Sequence, residues 1–219
     1  MKVVVAGQKR FGRDVLAQVI ARGWEVVAVS CPPDADDKLW IEATNRSLTI
    51  IPSRDLKAAT MPRGCDVIIA AHCHSFLSLK TRQRAELGAL GYHPSLLPLH
   101  RGRSSIEWAV RFRERMTGGS VYWLNDVVDG GPIAAQDWCF IRPGDSAAKL
   151  WARDLAPMGL RLFARAFDDL ERGVVVARPQ DPELATWEPA VEGVPPLWRP
   201  DVPMLGSSRY RFTLTREEE

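Results

Sequence analysis

Long apolar runs, a secretory leader and a strong net charge are all missing from this sequence. No run reaches the roughly 18 apolar residues that suggest a membrane-spanning helix. The opening apolar stretch is too short for a signal peptide, and no small-residue cleavage site follows it. A net charge of +2 gives no support to a large nucleic-acid footprint. We therefore expect a cytoplasmic protein with neither a membrane nor a nucleic acid as partner.

Paired cysteine spacings are also missing, which argues against a disulfide framework and against a zinc site. The cysteines stand far apart in the chain: Cys31, Cys65, Cys73 and Cys139. Free thiols in a reducing compartment are the expectation. His72 and His74 flank one cysteine, but they would point to opposite sides if the preceding strand continued. Because a metal needs about three or four converging ligands, we expect no metal here and predict a pocket wall instead.

The chain opens with a strand, a glycine turn, a helix and a second strand. Residues 2–6 are a β-branched run typical of a strand buried on both faces. Residues 11–22 carry apolar side chains at helical spacing, and residues 25–30 form the second strand. This βαβ order predicts an α/β fold, with a mostly parallel central sheet and helices on both faces.

More strands and two helices are expected further along. The strands are predicted at residues 49–51, 66–71, 90–92, 119–124 and 133–138. The last two flank a glycine-rich bend and suggest an antiparallel pair. Helices are predicted over residues 106–115 and 146–172, the second bent near Pro157 and capped by Asp145 or Ser146.

The sequence changes character after Gly173. Residues 177–219 are rich in proline and tryptophan and lack strong periodicity. We expect one catalytic domain over residues 1–176, with residues 177–219 forming an extended tail that packs on it. The last residues, 216–219, are expected to fray.

The turn between the first strand and the first helix is a candidate anion site. Its glycines let the backbone approach an anion, and a helix N-terminus favours negative charge. The turn lacks the Lys-Ser/Thr pair of a P-loop and the glycine fingerprint of dinucleotide-binding proteins. This disfavours a nucleotide-binding oxidoreductase. A purely structural turn and a substrate contact both stay open.

Two segments carry the residues with the strongest chemical signal. His93 directly follows an apolar strand and opens a loop in which Pro94 and Pro98 fix backbone angles. Asp129 lies on a glycine bend between two predicted strands, where a plain surface turn is the alternative. A charged imidazole can donate to a developing oxyanion, and a carboxylate can hold it charged and accept a proton from a nucleophile. The pair predicts chemistry at a carbonyl under attack.

An ordered series of motifs resembles the folate-dependent formyltransferase family. The nearest likeness is to the amino-terminal hydrolase domain of 10-formyltetrahydrofolate dehydrogenases. Glycinamide ribonucleotide, methionyl-tRNA and sugar N-formyltransferases are other members. The motifs follow in the family's order from residue 1 to about residue 187: Gly7-Gln8 with Phe11-Gly12, residues 73–77, Tyr92-His93-Pro94-Ser95-Leu96-Leu97-Pro98 with Arg101-Gly102, Thr117-Gly118-Gly119-Ser120, Tyr122-Trp123, Asp129-Gly130-Gly131, Pro143-Gly144-Asp145-Ser146 and Ala185-Thr186-Trp187.

The resemblance implies a Rossmann-like formyltransferase fold and 10-formyltetrahydrofolate as co-substrate. It implies that His93 and Asp129 are the catalytic residues. The folate would be held by two loops, through Ser75, Phe76, Leu77, Val127, Val128 and Gly130. The acceptor substrate would be held by Gln8, Lys9, Arg10, Phe11, Gly12 and Ser95.

The sequence departs from most transferases at Gly91, where those enzymes carry an asparagine whose amide stabilises the oxyanion. Loss of one such donor can cost about 3–4 kcal/mol of transition-state stabilisation. Hydrolase-type relatives also lack this asparagine. The expected function is formyl transfer to a small amine, with hydrolysis to formate and tetrahydrofolate, or folate binding without turnover, as alternatives. Initiator tRNA is not an expected acceptor, and a homodimer is left open.

Overall fold

The computed structural model describes residues 1–191 and contains one seven-stranded sheet with the order β3-β2-β1-β4-β5-β6-β7. The strands are β1 Lys2–Gly7, β2 Glu25–Cys31, β3 Ile50–Pro52, β4 Val67–Ala71, β5 Ala89–His93, β6 Met116–Trp123 and β7 Ile133–Phe140. Strands β1 to β5 are parallel, whereas β6 runs antiparallel to both of its neighbours. The mostly parallel α/β sheet and the antiparallel pair are confirmed.

Hydrophobic burial explains why the central strands form. Every residue of β4 is buried, and so are five of the six residues of β1. Parallel strands covered on both faces are expected to read as continuous apolar runs. The predicted strand ends differ from the observed ends by at most three residues, and the limits of strands and helices are the part of an element least determined by local sequence.

Helices lie on both faces of the sheet, but they differ in length. They are α1 Lys9–Ala21, α2 Lys38–Asn45, α3 Leu79–Arg82, α4 Ser105–Arg111, α5 Ala147–Leu150 and α6 Ala156–Glu171. The larger core cluster contains the apolar sides of α1, α2 and α6. The smaller cluster, on the other face, contains Leu56, Met61 and Leu77 from turns and short helical segments. None of the helices within residues 1–191 is long and apolar enough to cross a membrane.

The helix predicted over residues 146–172 is not continuous. Ser146 caps α5 by accepting a hydrogen bond from the Lys149 N–H. A π-helical turn, Trp151–Leu155, then separates α5 from α6. Pro157 stands in the first turn of α6, where a residue without an N–H is tolerated. The irregularity predicted near Pro157 is therefore a change in backbone hydrogen bonding, and it lies just before the proline.

The strand order sets where loops gather. Strand β1 lies between β2 and β4. The chain after β1 continues to β2 on one side, whereas the chain after β4 continues to β5 on the other, so the order of the strands reverses between β1 and β4. Ligands of open α/β sheets bind outside the carboxyl ends of the strands at such a point. The turn after β1, the segment after β4 and the loop that begins at His93 all leave from this edge.

Candidate functional site

His93 is the last residue of β5 and is buried, with 7% of its surface exposed. Its Nε2 lies 2.7 Å from the carbonyl oxygen of His100. Because a carbonyl can only accept a hydrogen bond, Nε2 carries a proton and donates it. Nδ1 is then the ring nitrogen left for a substrate, and it faces the carboxylate of Asp129 at 3.5 Å.

The loop after His93 is anchored to β6 by side-chain hydrogen bonds. The Ser120 hydroxyl donates to the carbonyl of Ser95 at 2.7 Å and accepts from the N–H of Leu97 at 3.1 Å. Gln136 donates to the carbonyl of Leu97 at 2.9 Å. The Ser95 hydroxyl is itself used inside the loop, where it donates to the carbonyl of Leu99 at 2.6 Å. These hydrogen bonds therefore fix the loop that follows His93.

Asp129 is held by two donors besides its contact with the histidine. The backbone N–H of Gly102 donates to Oδ2 at 2.8 Å, and the hydroxyl of Tyr122 donates to Oδ1 at 2.6 Å. Asp129 has a positive φ of 50°, a conformation that aspartate tolerates better than most residues. Burial, and then the charge of Asp129, raise the pKa of Tyr122 well above its usual value of 10. The phenol is thus a neutral donor.

A second histidine supports the first through its backbone. Nδ1 of His100 lies 3.0 Å from Glu188, and Nε2 lies 2.9 Å from Glu114. Burial alone would lower the pKa of His100, but the hydrogen bonds and charges of the two glutamates raise it to about 9. His100 is therefore a buried cation between two carboxylates, and its carbonyl is the group that fixes Nε2 of His93.

The segment from Arg178 to Val191 contacts both sides of this site. Gln180 donates to the carbonyls of Asp129 and Gly131 at 2.8 and 2.7 Å. The Thr186 hydroxyl accepts from the backbone N–H of His100 at 2.8 Å, next to Glu188. Residues of this segment thus hydrogen-bond to the loops that carry Asp129 and His100, whereas the predicted frayed end, residues 216–219, lies outside the described residues.

The two loops predicted to hold a folate are tied together by one buried arginine. Arg82 donates to the carbonyl of Leu77 and, at 2.6 Å, to Asp126. Leu77 is buried, and its neighbour Phe76 is 67% exposed. Ser75 donates to the carbonyl of Ser53 at 3.2 Å. These two loops therefore lie next to each other on the same side of the sheet.

The second of these loops offers apolar surface. Val127 and Val128 are both more than half exposed, and Gly130 follows them in the same turn. Phe76, on the neighbouring loop, is also exposed. Exposed apolar side chains of this kind are suited to contact the faces of a flat ring.

The residues predicted to meet the acceptor divide into two groups. Gln8 and Lys9 line a cleft of about 340 Å³ opposite Asp34, Asp36, Asp37 and Lys38. Arg10 is largely exposed and lies 3.6 Å from Asp14. Phe11 is buried in the larger core cluster, and a side chain on Gly12 would meet Leu39 at 3.0 Å. The structure thus places Gln8, Lys9 and Arg10 at the surface. It places Phe11 and Gly12 in the packing beneath it.

The opposite orientation expected for His72 and His74 required the strand to continue, but β4 ends at Ala71. His72 has a positive φ of 58°, and the two rings are 5.0 Å apart. His74 Nδ1 lies 3.0 Å from the amide of Gln8. Burial, followed by the charges of His74 and Lys9, lowers the pKa of His72 to about 4. Among residues 1–191, no group of three or more potential ligands is placed to hold a metal ion.

Sequence reasoning missed several residues of the site, including Tyr122, Glu114, Glu188, Gln180 and Arg82. Their partners are 5 to 88 residues away in the chain. One local signal was present for Tyr122, which stands seven residues before Asp129 on a predicted strand. No local spacing indicates the others, because their contacts depend on how the loops pack.

The fold and the site define a class: a doubly wound α/β domain with a histidine and an aspartate at the carboxyl edge of its sheet. The family model for formyl transferase matches residues 1–163, and the chain belongs to that family. It is 32% identical over 201 residues to the mitochondrial 10-formyltetrahydrofolate dehydrogenase of Mus musculus, covering 86% of this chain. The chain spans 22% of the length of that relative.

Solved structures agree on the fold. A 4-N formyltransferase from Francisella tularensis has a TM-score of 0.73 at 16% identity, covering 85% of this chain and 75% of that one. The N-formyltransferase from Helicobacter canadensis, in complex with folinic acid and dTDP-3-aminofucose, has a TM-score of 0.72 at 16% identity. That match covers 86% of this chain and 70% of the other. The Rossmann-like formyltransferase fold is thereby confirmed.

Proposed function

We propose that this protein transfers the formyl group of 10-formyltetrahydrofolate to a small amine, with His93 and Asp129 as the catalytic residues. One observation carries the proposal. Nδ1 of His93 faces Asp129 at 3.5 Å while Nε2 is held by a backbone carbonyl. One donor nitrogen and one carboxylate oxygen therefore stand side by side, which is the arrangement that acyl transfer needs.

The reaction follows from that geometry. The amine nitrogen attacks the formyl carbon, a C–N bond forms, and the carbonyl electron pair moves to the oxygen. As an imidazolium with protons on both ring nitrogens, His93 donates a hydrogen bond from Nδ1 to this oxyanion, and Oδ2 of Asp129 accepts the proton that the amine loses. When the oxyanion collapses, the bond to N10 breaks and N10 takes up the proton that Asp129 had accepted. Positioned acid–base groups of this kind contribute about 10²- to 10⁴-fold to a rate.

The donor would bind against the two loops joined by Arg82. Phe76, Val127 and Val128 are exposed apolar side chains suited to the faces of a pterin, and Ser75, Leu77 and Gly130 would offer backbone groups. The proteins that resemble this chain support this donor, since they include 10-formyltetrahydrofolate dehydrogenases and a formyltransferase complexed with folinic acid.

The acceptor would approach from the turn after β1. Gln8, Lys9 and Arg10 are exposed or line the neighbouring cleft, and Phe11 and Gly12 would act from below by holding the turn. Ser95 would act through the loop that carries the histidine, because its hydroxyl is already hydrogen-bonded there.

Hydrolysis of 10-formyltetrahydrofolate is the second candidate function, and Gly91 is the observation that favours it. Glycine has no side chain, so position 91 supplies no amide to a formyl oxygen. The 32% identity with a 10-formyltetrahydrofolate dehydrogenase points the same way. Water would then replace the amine, with the same roles for the catalytic pair.

The experiment is to incubate the protein with 10-formyltetrahydrofolate and follow tetrahydrofolate and formate, alone and with a panel of small amines. Tetrahydrofolate without formate, only when an amine is present, supports transfer; formate release without an amine supports hydrolysis. His93→Asn and Asp129→Asn should abolish either activity and keep folate binding by calorimetry. Asp168→Asn, an exposed carboxylate on α6, is the matched control.

A wild-type protein that binds the folate and turns over in neither assay would support the non-catalytic alternative. Failure to bind the folate at all would overturn the proposal. The same holds if His93→Asn and Asp129→Asn retain the wild-type rate.

A further inference from the structure

Tyr122 and Gly91 lie opposite each other on the neighbouring strands β6 and β5, and the tyrosine ring packs beside the glycine. They are register partners in the antiparallel pair of β5 and β6. A Cβ at position 91 would lie 3.4 and 3.5 Å from the ring atoms Cε1 and Cζ of Tyr122. The tyrosine ring therefore packs against the place where a side chain of residue 91 would begin.

The hydroxyl of Tyr122 reaches the carboxylate of Asp129. It donates to Oδ1 at 2.6 Å, while Gly102 donates to Oδ2 at 2.8 Å. Tyr122 is 6% exposed, so water does not compete for this hydrogen bond. The two oxygens are thereby made different: Oδ1 is taken by the phenol, and Oδ2 is directed at Nδ1 of His93.

We propose that Tyr122 is a positioning residue of this site, which holds Asp129 by Oδ1 so that Oδ2 faces His93. The inference rests on the proposed function, since it assigns Tyr122 a role through the catalytic pair. The tyrosine ring lies at van der Waals distance from the place where a Cβ of residue 91 would stand, so Gly91 leaves room for the ring beside it.

The test uses Tyr122→Phe, which keeps the ring against Gly91 and removes only the hydroxyl. A hydrogen bond to a charged group is lost, and such bonds correspond to about a 10- to 100-fold fall in kcat. The affinity for 10-formyltetrahydrofolate should stay within about twofold, because the phenol touches Asp129 and not the folate loops. The acidic limb of the pH profile of kcat should move to higher pH, since the ionised carboxylate loses a donor.

Tyr92→Phe is the matched control. Tyr92 is also a mostly buried tyrosine of this sheet, and its hydroxyl donates to the carbonyl of Leu155 at 2.7 Å, on the far side from Asp129. It removes the same atom and should leave kcat and the pH profile unchanged. A fall in kcat with an unmoved acidic limb in Tyr122→Phe would show a packing effect and overturn the inference.

Parallel measurements separate this inference from the proposed function. If His93→Asn and Asp129→Asn lose activity while Tyr122→Phe retains it with an unmoved limb, only the inference fails. If the two catalytic variants stay active, the proposed function fails. NMR of the free protein provides a readout that needs no turnover. The His93 Cε1–H resonance should move in Tyr122→Phe and not in Tyr92→Phe, and an unmoved resonance overturns the inference.

Discussion

Replacement of Glu188 by glutamine should destabilise the protein in a way that depends on pH. The side chain keeps its shape and loses its charge, while Glu114 still faces the imidazolium of His100. The pKa of His100 is about 9 in the folded protein and has an ordinary value of 6.5. One pKa unit is worth about 1.4 kcal/mol, so the raised pKa corresponds to about 3 kcal/mol of stability, net of the opposing effect of burial. Glu188→Gln removes one of the two charges that raise this pKa, so the loss should be on the order of 1–2 kcal/mol.

The sign of the pH dependence follows from the raised pKa. The contribution is fully present below about pH 6.5 and is lost as the pH rises through about 9, because the folded protein then gives up the extra proton. Urea unfolding at a pH below and a pH above this window measures the difference between wild type and Glu188→Gln. Glu183→Gln, an exposed glutamate of the same segment, is the control. An equal difference at both pH values, or none at the lower one, would refute the reasoning.

Three further predictions concern the folate loops, the sheet and the thiols. Arg82→Met should raise KM for 10-formyltetrahydrofolate about tenfold with little change in kcat, because Leu77 and Asp126 lose their common donor; steady-state kinetics measures this. Gly7→Ala should lower the free energy of unfolding by about 3 kcal/mol in urea titrations, since its Cβ would overlap the carbonyl of Ala71. The native protein should react slowly with Ellman's reagent, because burial raises the pKa of every cysteine; the denatured protein should react at all four thiols.

The sheet could be predicted where each strand carries its own signal. Strands β1, β2 and β4 are apolar runs bounded by turns, and their burial on both faces needs no partner to be recognised. The antiparallel pair was visible because a glycine bend separates two short runs. The π-helical turn at Trp151–Leu155 was not, since α-helical periodicity continues across it and only the backbone bonding changes.

The residues of the site likewise divide into those that the sequence predicts and those that it does not. His93 and Asp129 could be named from residue type and loop context, and the structure brings them to 3.5 Å. The hydroxyl of Tyr122 on Asp129 could not, because it depends on the register between β5 and β6 and on a turn with positive φ. The ion pairs of His100 join residues 14 and 88 positions away, and no local spacing encodes such a distance.

The segment from Arg178 to Val191 has a consequence for how the protein is made. The seven strands and six α-helices found within residues 1–191 precede it in the chain, so the ribosome releases it after them. Gln180, Thr186 and Glu188 are nonetheless the residues that hold the backbone of Asp129 and both the backbone and the ring of His100. A nascent chain can therefore complete its sheet before its two key loops are secured, and the site is assembled only after this segment has been synthesised.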